Sequence, residues 1–318
     1  MAKEKEEGVK KTLEERIKQI EKSLKISKVV DFSKSVVSSG SYMINKATNI
    51  NGVPKGKVIE IMGPESSGKS TIVLHIIAEF QKAIPEKRAA LIDFEHSFDL
   101  GYAKSIGVDV DSLLIYQPDN QEDGYNLAID LATDVCSIIV IDSHTAAVPQ
   151  AVVEKEIGES TIGIQARNNS TFLAKIKGML DKSECTLIGV SQYRTNIGGM
   201  GETNVSTGGQ AWKFYSDMRF KIWKTNDKIK ELNRTTLDVN KNKCGRPFGK
   251  AEFNIIWGQG IDVMQEVLDL AIEANIVKQS GSWFSYGEAK IGQGAENVKT
   301  FFSENVDVYE EIKKQLGL

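Results

Sequence analysis

Gly63-Pro64-Glu65-Ser66-Ser67-Gly68-Lys69-Ser70 is the stretch that decides the fold of this chain. It has the form G-x-x-x-x-G-K-S, a complete Walker A motif. Val58-Ile59-Glu60-Ile61-Met62 before it reads as a buried strand, and the run from Thr71 to Ala78 after it opens a helix. A strand, a glycine-rich turn and a helix N-terminus together form an anion cradle. Free backbone N–H groups and the positive helix end then point at the same place. The residue types predict a nucleoside triphosphate there, ATP before others. Gly63, Pro64, Glu65, Ser66, Ser67, Gly68 and Thr71 line the phosphates, Lys69 reaches the β- and γ-phosphates, and Ser70 holds magnesium. A chance glycine turn is the alternative, and the flanking strand and helix argue against it.

The 318 residues leave room for one large domain with attachments, or for two domains. A hydrophobic content of 41% with 26% charged residues fits a water-soluble globular chain. The net charge of −3 neither requires nor excludes nucleic acid, because a basic surface can sit on a mildly acidic whole. Cys136, Cys185 and Cys244 are far apart and have no metal-ligand spacing. Cys136 and Cys185 border apolar runs and read as reduced core thiols. The start is charged and lacks an apolar signal region, and no run is apolar enough to span a bilayer. The expectation is a cytoplasmic protein with no membrane partner.

Leu13, Ile17, Ile20 and Leu24 recur at helical spacing among charged residues, which predicts a short amphipathic helix. Its stripe docks either on the chain's own core or on a neighbouring subunit. Residues 25–57 are mixed, with Ile26, Val29 and Val30 as a short strand or extended arm and turns near Asn51-Gly52 and Pro54. Apolar runs at 89–93, 138–141 and 186–190 then alternate with helical stretches at 123–133 and 165–180. That alternation predicts a parallel sheet covered by helices. Later strands are expected at Met218–Trp223, Thr235–Val239 and Phe253–Trp257. A mainly helical segment with a small aromatic hairpin at Trp283–Tyr286 follows.

Ligands bind at the carboxyl ends of such strands, and each of these strands ends in a polar residue. Asp142 closes the run Ile138–Ile141, as a Walker B aspartate does, and would hold magnesium. Glu95, in Ile92-Asp93-Phe94-Glu95-His96, is a candidate to orient the attacking water. A solvated loop residue or a helix cap is the alternative, and His96 is at best an orienting neighbour. Gln192 ends another strand and could sense a γ-phosphate. The polar stretch Tyr193 to Gly209 after it has no apolar period and is expected to be a mobile loop. A second glycine-containing loop runs from Glu154 to Gly163. Arg167, Lys175 and Lys177 on one side, and Arg194 and Lys213 on the other, are candidate phosphate contacts. Solvated surface charges are the plainer reading of those five.

The ordered set of motifs resembles the bacterial RecA recombinase family over nearly the whole chain. Its marks are G-P-E-S-S-G-K-S at 63–70, I-D-F-E-H at 92–96, Q-P-D at 117–119 and I-I-V-I-D-S at 138–143. They continue with E-I-G-E-S at 156–160, S-T-G-G-Q-A-W-K-F-Y at 206–215, N-K-N-K at 240–243 and K-I-G-Q-G at 290–294. The resemblance implies an α/β fold: a RecA-like P-loop ATPase core with a mostly parallel central sheet, an N-terminal helix arm and a small C-terminal α/β domain. The implied divisions are residues 1–32 for an oligomerisation helix and linker, 33–262 for the core and 263–318 for the C-terminal domain. Two DNA-binding loops, about 154–163 and 193–209, belong to the core.

By that resemblance, ATP and Mg2+ are the cofactors, and subunits stack into a helical filament on single-stranded DNA that pairs with homologous double-stranded DNA. Lys69 grips the phosphates, Ser70 and Asp142 the metal, and Asp99 and Tyr102 the adenine. Glu95 is the catalytic carboxylate and Gln192 the sensor, while Lys241 and Lys243 reach the γ-phosphate held by a neighbouring subunit. Ile162 and Ile197 match wedges between base triplets, and Arg167, Ser170, Arg194, Gly208 and Gly209 match backbone-phosphate contacts. Ile17, Ile20, Lys213 and Phe214 fall at the subunit interface, and loader and single-strand-binding proteins are candidate partners. Ser70 stands in place of the commoner Thr, His144 in place of a small apolar residue, Tyr193 in place of an aliphatic one, and Asn196 in place of Lys. With an ending at Gly317-Leu318 and no long acidic tail, these departures suggest a divergent member, from a phage, a mobile element or an unusual bacterium. The readings set beside recombination are a motor or loader ATPase on the same core, and a DNA-coating filament protein that never hydrolyses ATP.

Overall fold

A computed structural model describes residues 15, 35–156, 163–195, 204–206, 209–225 and 232–318. The chain divides into two compact units, Met1–Asp31 and Phe32–Leu318. In the first only Glu15 is described, and it is helical. The Leu13/Ile17/Ile20/Leu24 stripe and the predicted arm at 26–30 therefore lie outside the described residues.

The second unit opens with β1 (Val36–Val37) and β2 (Val53–Pro54), paired antiparallel around the short helix Tyr42–Thr48. The main sheet then takes β3 (Val58–Gly63), β4 (Arg88–Asp93), β5 (Leu113–Tyr116), β6 (Cys136–Asp142) and β7 (Thr186–Thr195). It continues with β8 (Asn204–Ser206), β9 (Met218–Lys224), β10 (Leu232–Asn242), β11 (Lys250–Ile256) and β12 (Gly260–Ile261). The strand order is β12-β11-β10-β9-β3-β7-β6-β4-β5, with β8 paired to β7 off this path. From β9 to β5 every pairing is parallel; β9-β10, β10-β11, β11-β12 and β7-β8 are antiparallel. The sheet is thus mostly parallel, as expected, and the later strands form an antiparallel extension of it.

The central parallel strands are mostly apolar because helices cover both faces. Every residue of β3 and β6 is buried. One core packs Ile59, Ile61, Val140 and Val190 against Ile72, Ile76 and Phe80 of the helix Lys69–Ala83. The other packs Ile139, Ile141 and Leu187 against Phe172, Leu173 and Ile176 of the helix Ile164–Ser183. The alternation of buried and partly exposed residues in β9 marks the change to a sheet with one wetter face.

The structure departs from the sequence reading at two places. The stretch 193–209 is not wholly loop: β7 runs on through Thr195 and pairs with β8 in the register Tyr193↔Ser206 and Thr195↔Asn204. Ladder bonds satisfy this polar backbone without any apolar period, so periodicity could not reveal it. The aromatic segment is also more than a hairpin. β13 (Val277–Ser280), β14 (Trp283–Tyr286) and β15 (Ala289–Gln293) form a three-stranded antiparallel sheet. It shares a core of Val267, Phe284, Ile291, Val298 and Phe302 with the C-terminal helices.

The helix Val263–Glu273 carries Glu266, which is 2% exposed. Its carboxylate accepts from Ser41 Oγ at 2.6 Å and from the Tyr42 amide at 2.7 Å, capping the helix Tyr42–Thr48. Burial pushes this carboxyl up to about 7, against the hydrogen bonds that pull it down. Its pKa is higher folded than unfolded, so the stability it contributes is fully present below about 4.5 and is lost as pH rises through about 7. Thermal melts of wild type and Glu266→Gln from pH 4.5 to 8 should therefore show wild type losing ground to the variant as pH rises. The slope approaches about 1.4 kcal/mol per pH unit. A pH-independent difference would show that the carboxyl does not take up its proton on folding.

Candidate nucleotide site and cation cluster

Strand register assembles the first site. Gly63 of β3 lies opposite Gln192 of β7, and Asp93 of β4 opposite Asp142 of β6, so four strand ends open on one edge. Between β3 and the helix Lys69–Ala83 the chain turns through Ser66 at φ 56 and Gly68 at φ 93. Gly68 precedes that helix with no side chain capping it, so the first-turn amides face the loop unspent. A Cβ on Gly68 would stand 2.4 Å from Ile255 Cδ1, so the residue combines the left-handed turn with a close approach to β11. Ser67 Oγ is buried and without a partner among the described residues, a polar atom left for a ligand.

A cavity of about 460 Å³ lies over this turn. Glu65 to Thr71, Glu95, Asp99, Tyr102, Asp142 and Gln192 line it, together with Asn233, Ile255, Trp257 and Gly258. Lys69 is buried and its Nζ donates to the Pro64 carbonyl at 2.7 Å. Burial lowers its pKa, while Asp142, Glu95 and Glu65 act to raise it. Ser70 Oγ donates to Asp142 Oδ2 at 2.9 Å. Burial, reinforced by Glu95, pushes the Asp142 carboxyl up to about 6. The Ser70–Asp142 pair offers hard oxygens of the type magnesium takes with phosphate and water making up the rest. Among the described residues no group of three His, Cys, Asp or Glu could hold a metal by itself. Thr71 Oγ1 and Tyr102 OH are 2.8 Å apart, and Asp99 caps the helix Leu100–Ile106 by accepting from the Tyr102 amide at 2.9 Å.

Glu95 is no solvated loop residue. Its Oε1 accepts from Gln192 Nε2 at 2.9 Å and from Ser143 Oγ at 2.5 Å. Thr145 Oγ1 lies 3.0 Å from Ser143 Oγ and accepts from the Gln192 amide at 3.3 Å. Buried Asp93 holds the turn from below, accepting from the amides of Glu95 and Phe98 and from Gln117 Nε2. His96, at φ 53, is exposed. Sequence reasoning missed Ser143, Thr145 and Asp93 as supports of Glu95, and Trp257 and Ile255 as walls. The signal for Asp93 was the same as for Asp142, a carboxylate closing an apolar strand. Trp257 had only its place before Gly258.

Lys241 and Lys243 lie on β10 and just after it, and neither lines this cavity. Lys241 Nζ donates to the carbonyls of Lys213 and Phe214 at 2.7 and 3.1 Å, near the end of the short helix Ala211–Tyr215. Burial lowers the pKa of Lys241, and the nearby cations Lys243, Arg219 and Lys177 add to that, with Asp217 opposing. Lys213 and Phe214 are exposed, Phe214 by 67%. Lys177, a sequence candidate for phosphate contact, is instead paired with Asp217 at 2.8 Å, because the helix Ile164–Ser183 turns it toward the start of β9. Of the candidate DNA contacts, Arg167 and Gly209 are exposed, and Ser170 Oγ donates back to Ala166 O at 3.0 Å. Arg194 sits in the β7–β8 ladder opposite Val205. Ile162, Ile197 and Gly208 lie outside the described residues, as do Ile17 and Ile20.

The model of the RecA N-terminal domain matches residues 11–262, and that of the RecA C-terminal domain matches residues 265–317. The chain belongs to the RecA family. Protein RecA of Chlorobaculum tepidum is 46% identical over 288 residues, which cover 88% of this chain and 82% of that one. Protein RecA of Clostridioides difficile is 42% identical over 319 residues, covering 96% and 91%. Protein RecA of Clostridium acetobutylicum is 43% identical over 287 residues, covering 88% and 81%. RecA family membership supports recombinase and ATPase function in general terms, with DNA and further copies of the chain as partners. No described helix is long and apolar enough to cross a membrane.

Proposed function

We propose that this RecA-family chain is a DNA-dependent ATPase that forms a helical filament on single-stranded DNA, pairs it with homologous duplex and exchanges strands. The observation that carries the ATPase half is the Gln192–Glu95–Ser143 chain of hydrogen bonds at the lip of the cradle. ATP with Mg2+ fits the donors present: uncapped helix amides, buried Lys69, the Ser70–Asp142 oxygens and the orphaned Ser67 hydroxyl. Bound magnesium would neutralise phosphate charge; the remaining steps belong to the chain's own residues. Lys69 leaves the Pro64 carbonyl for the phosphates, and the Asp142 carboxylate, with the Ser70 hydroxyl, would hold the cation. Tyr102 and Trp257 flank the base. Glu95 accepts a proton from, and aligns, the attacking water, and it does so once Gln192 turns to the γ-phosphate.

Gln192 also begins the β7 extension that leads into the second candidate DNA loop, and Thr145 braces its amide. Movement of one amide side chain thereby couples phosphate to DNA. Lys241 and Lys243 complete the γ-phosphate site of a neighbouring copy. The exposed Phe214, and β5 with its exposed Leu114, Ile115 and Tyr116 at the end of the sheet, offer apolar surface and backbone for copies to share. Contacts from Arg167, Ser170, Arg194, Gly208 and Gly209 to phosphates make DNA binding independent of sequence, and Ile162 and Ile197 wedge between bases. Phosphate release, measured with and without single-stranded oligothymidine, tests the reading. Stimulation by DNA is expected, and equal turnover without it would contradict the proposal.

A further inference from the structure

Asp217 is 7% exposed, and four cations surround it or its neighbours: Lys177, Lys241, Lys243 and Arg219. Arg219 is neutralised elsewhere, donating from Nε to Glu60 at 2.6 Å. Lys241 is held by carbonyls, which carry no full charge. Among the described residues that leaves one carboxylate for two ammonium groups. Lys177 takes both of its oxygens at 2.8 and 2.9 Å and also donates to the Tyr215 carbonyl at 2.7 Å. Lys243 stands 3.8 Å from Oδ1, beyond hydrogen-bond reach, with its side chain 52% exposed. Backbone bonds fix the frame: the Lys243 amide donates to the Asp217 carbonyl at 2.8 Å, and the Val58 amide donates to Oδ2 at 3.2 Å.

We propose that Asp217 is a positioning residue for Lys243, an internal anion that competes with the incoming phosphate, and that Lys177 sets how strongly it competes. This rests on the reading of Lys243 as a γ-phosphate ligand in a neighbouring copy. The geometry leaves Lys243 attracted but not bound, so a phosphate carrying more charge draws it away from Asp217. Lys177 occupies the carboxylate and keeps that attraction weak. A residue that merely holds the fold would give one sign of effect on removal of either partner. A competitor gives opposite signs. Removing the carboxylate frees Lys243 for phosphate, whereas removing Lys177 leaves Asp217 to hold Lys243 harder.

The test is light scattering by the full chain on single-stranded oligothymidine, titrated with MgATP, with thermal melts as a check on folding. Asp217→Asn keeps an acceptor for the Val58 amide and should lower the half-maximal ATP concentration about three- to five-fold, the scale of a half-exposed ion pair. Lys177→Gln keeps a donor for the Tyr215 carbonyl and should raise it by a similar factor. Both shifts should vanish in a Lys243→Ala background. Shifts of the same sign, or shifts that survive the loss of Lys243, overturn the role of Asp217 while leaving the shared phosphate site standing. Should Asp217→Asn fail to fold, Lys177→Gln alone decides, because a lower or unchanged ATP requirement there overturns the proposal. Wild-type assembly by Lys243→Ala alone overturns the shared site, and the Asp217 role with it.

Discussion

Glu95→Gln should abolish most ATP turnover while leaving ATP and DNA binding close to wild type, with a loss of about 10²- to 10⁴-fold in phosphate release at saturating single-stranded DNA. The amide has the size of the carboxylate but cannot take a proton from water. The ground-state geometry survives, since an amide oxygen still accepts from Gln192 Nε2 and Ser143 Oγ, the two donors that hold Glu95 now. The variant should therefore assemble stably with ATP and fail to disassemble by hydrolysis. Near-normal turnover would remove Glu95 from the mechanism and return the two hydrogen bonds to a structural role.

Lys243→Ala should leave the subunit folded and its weak nucleotide binding intact, because Lys69, Ser70 and Asp142 line a cavity that Lys243 does not touch. ATP-induced assembly and DNA-stimulated turnover should both fall, turnover by about 10²-fold or more, as for loss of a charge stabiliser at a closing interface. ADP lacks the γ-phosphate, so its binding should barely change. Mixing supplies the stricter form. Lys243→Ala and Glu95→Gln subunits are each inactive alone, yet a mixed interface can unite intact Glu95 from the first with intact Lys243 from the second. Part of the turnover should return. No rescue in filaments shown to be mixed, or a loss of monomer ATP affinity as large as that of Lys69→Ala, would place Lys243 in its own subunit's site.

What the sequence makes legible is whatever one segment decides for itself. The strands at 58–63, 88–93 and 136–142 are buried almost throughout and read as mostly apolar runs, and Asp93 and Asp142, which end two of them, mark the site edge. The antiparallel extension, the helix Tyr42–Thr48 and strand β5 are harder to see. The helix has seven residues, and beyond its Ser41 cap it is held by Glu266, distant in the chain, which accepts from the Tyr42 amide. β5 is a run of only four apolar residues, too short for periodicity to tell a strand from a piece of helix. The same limit governs the site. Lys69, Ser70, Asp142 and Glu95 announce themselves by motif. Ser143 and Thr145 become visible only when register brings β4 and β7 to either side of β6, and Ile255 and Trp257 only when β11 closes over the cradle. Lys177 looks like a surface cation until the fold sets it against Asp217.

The claim that joins these parts is that ATP binding lets the chain use one DNA strand to find its complement in a duplex. The direct measurement incubates the protein and MgATP with a labelled single strand, then adds a duplex of matching or unrelated sequence and follows transfer of the label into joint molecules. The account predicts joint molecules with the matching duplex, none above background with the unrelated one, and none without ATP. Single-stranded DNA that stimulates phosphate release but forms joint molecules with neither duplex, or with both equally, would contradict it and point to a motor or a coat on the same fold.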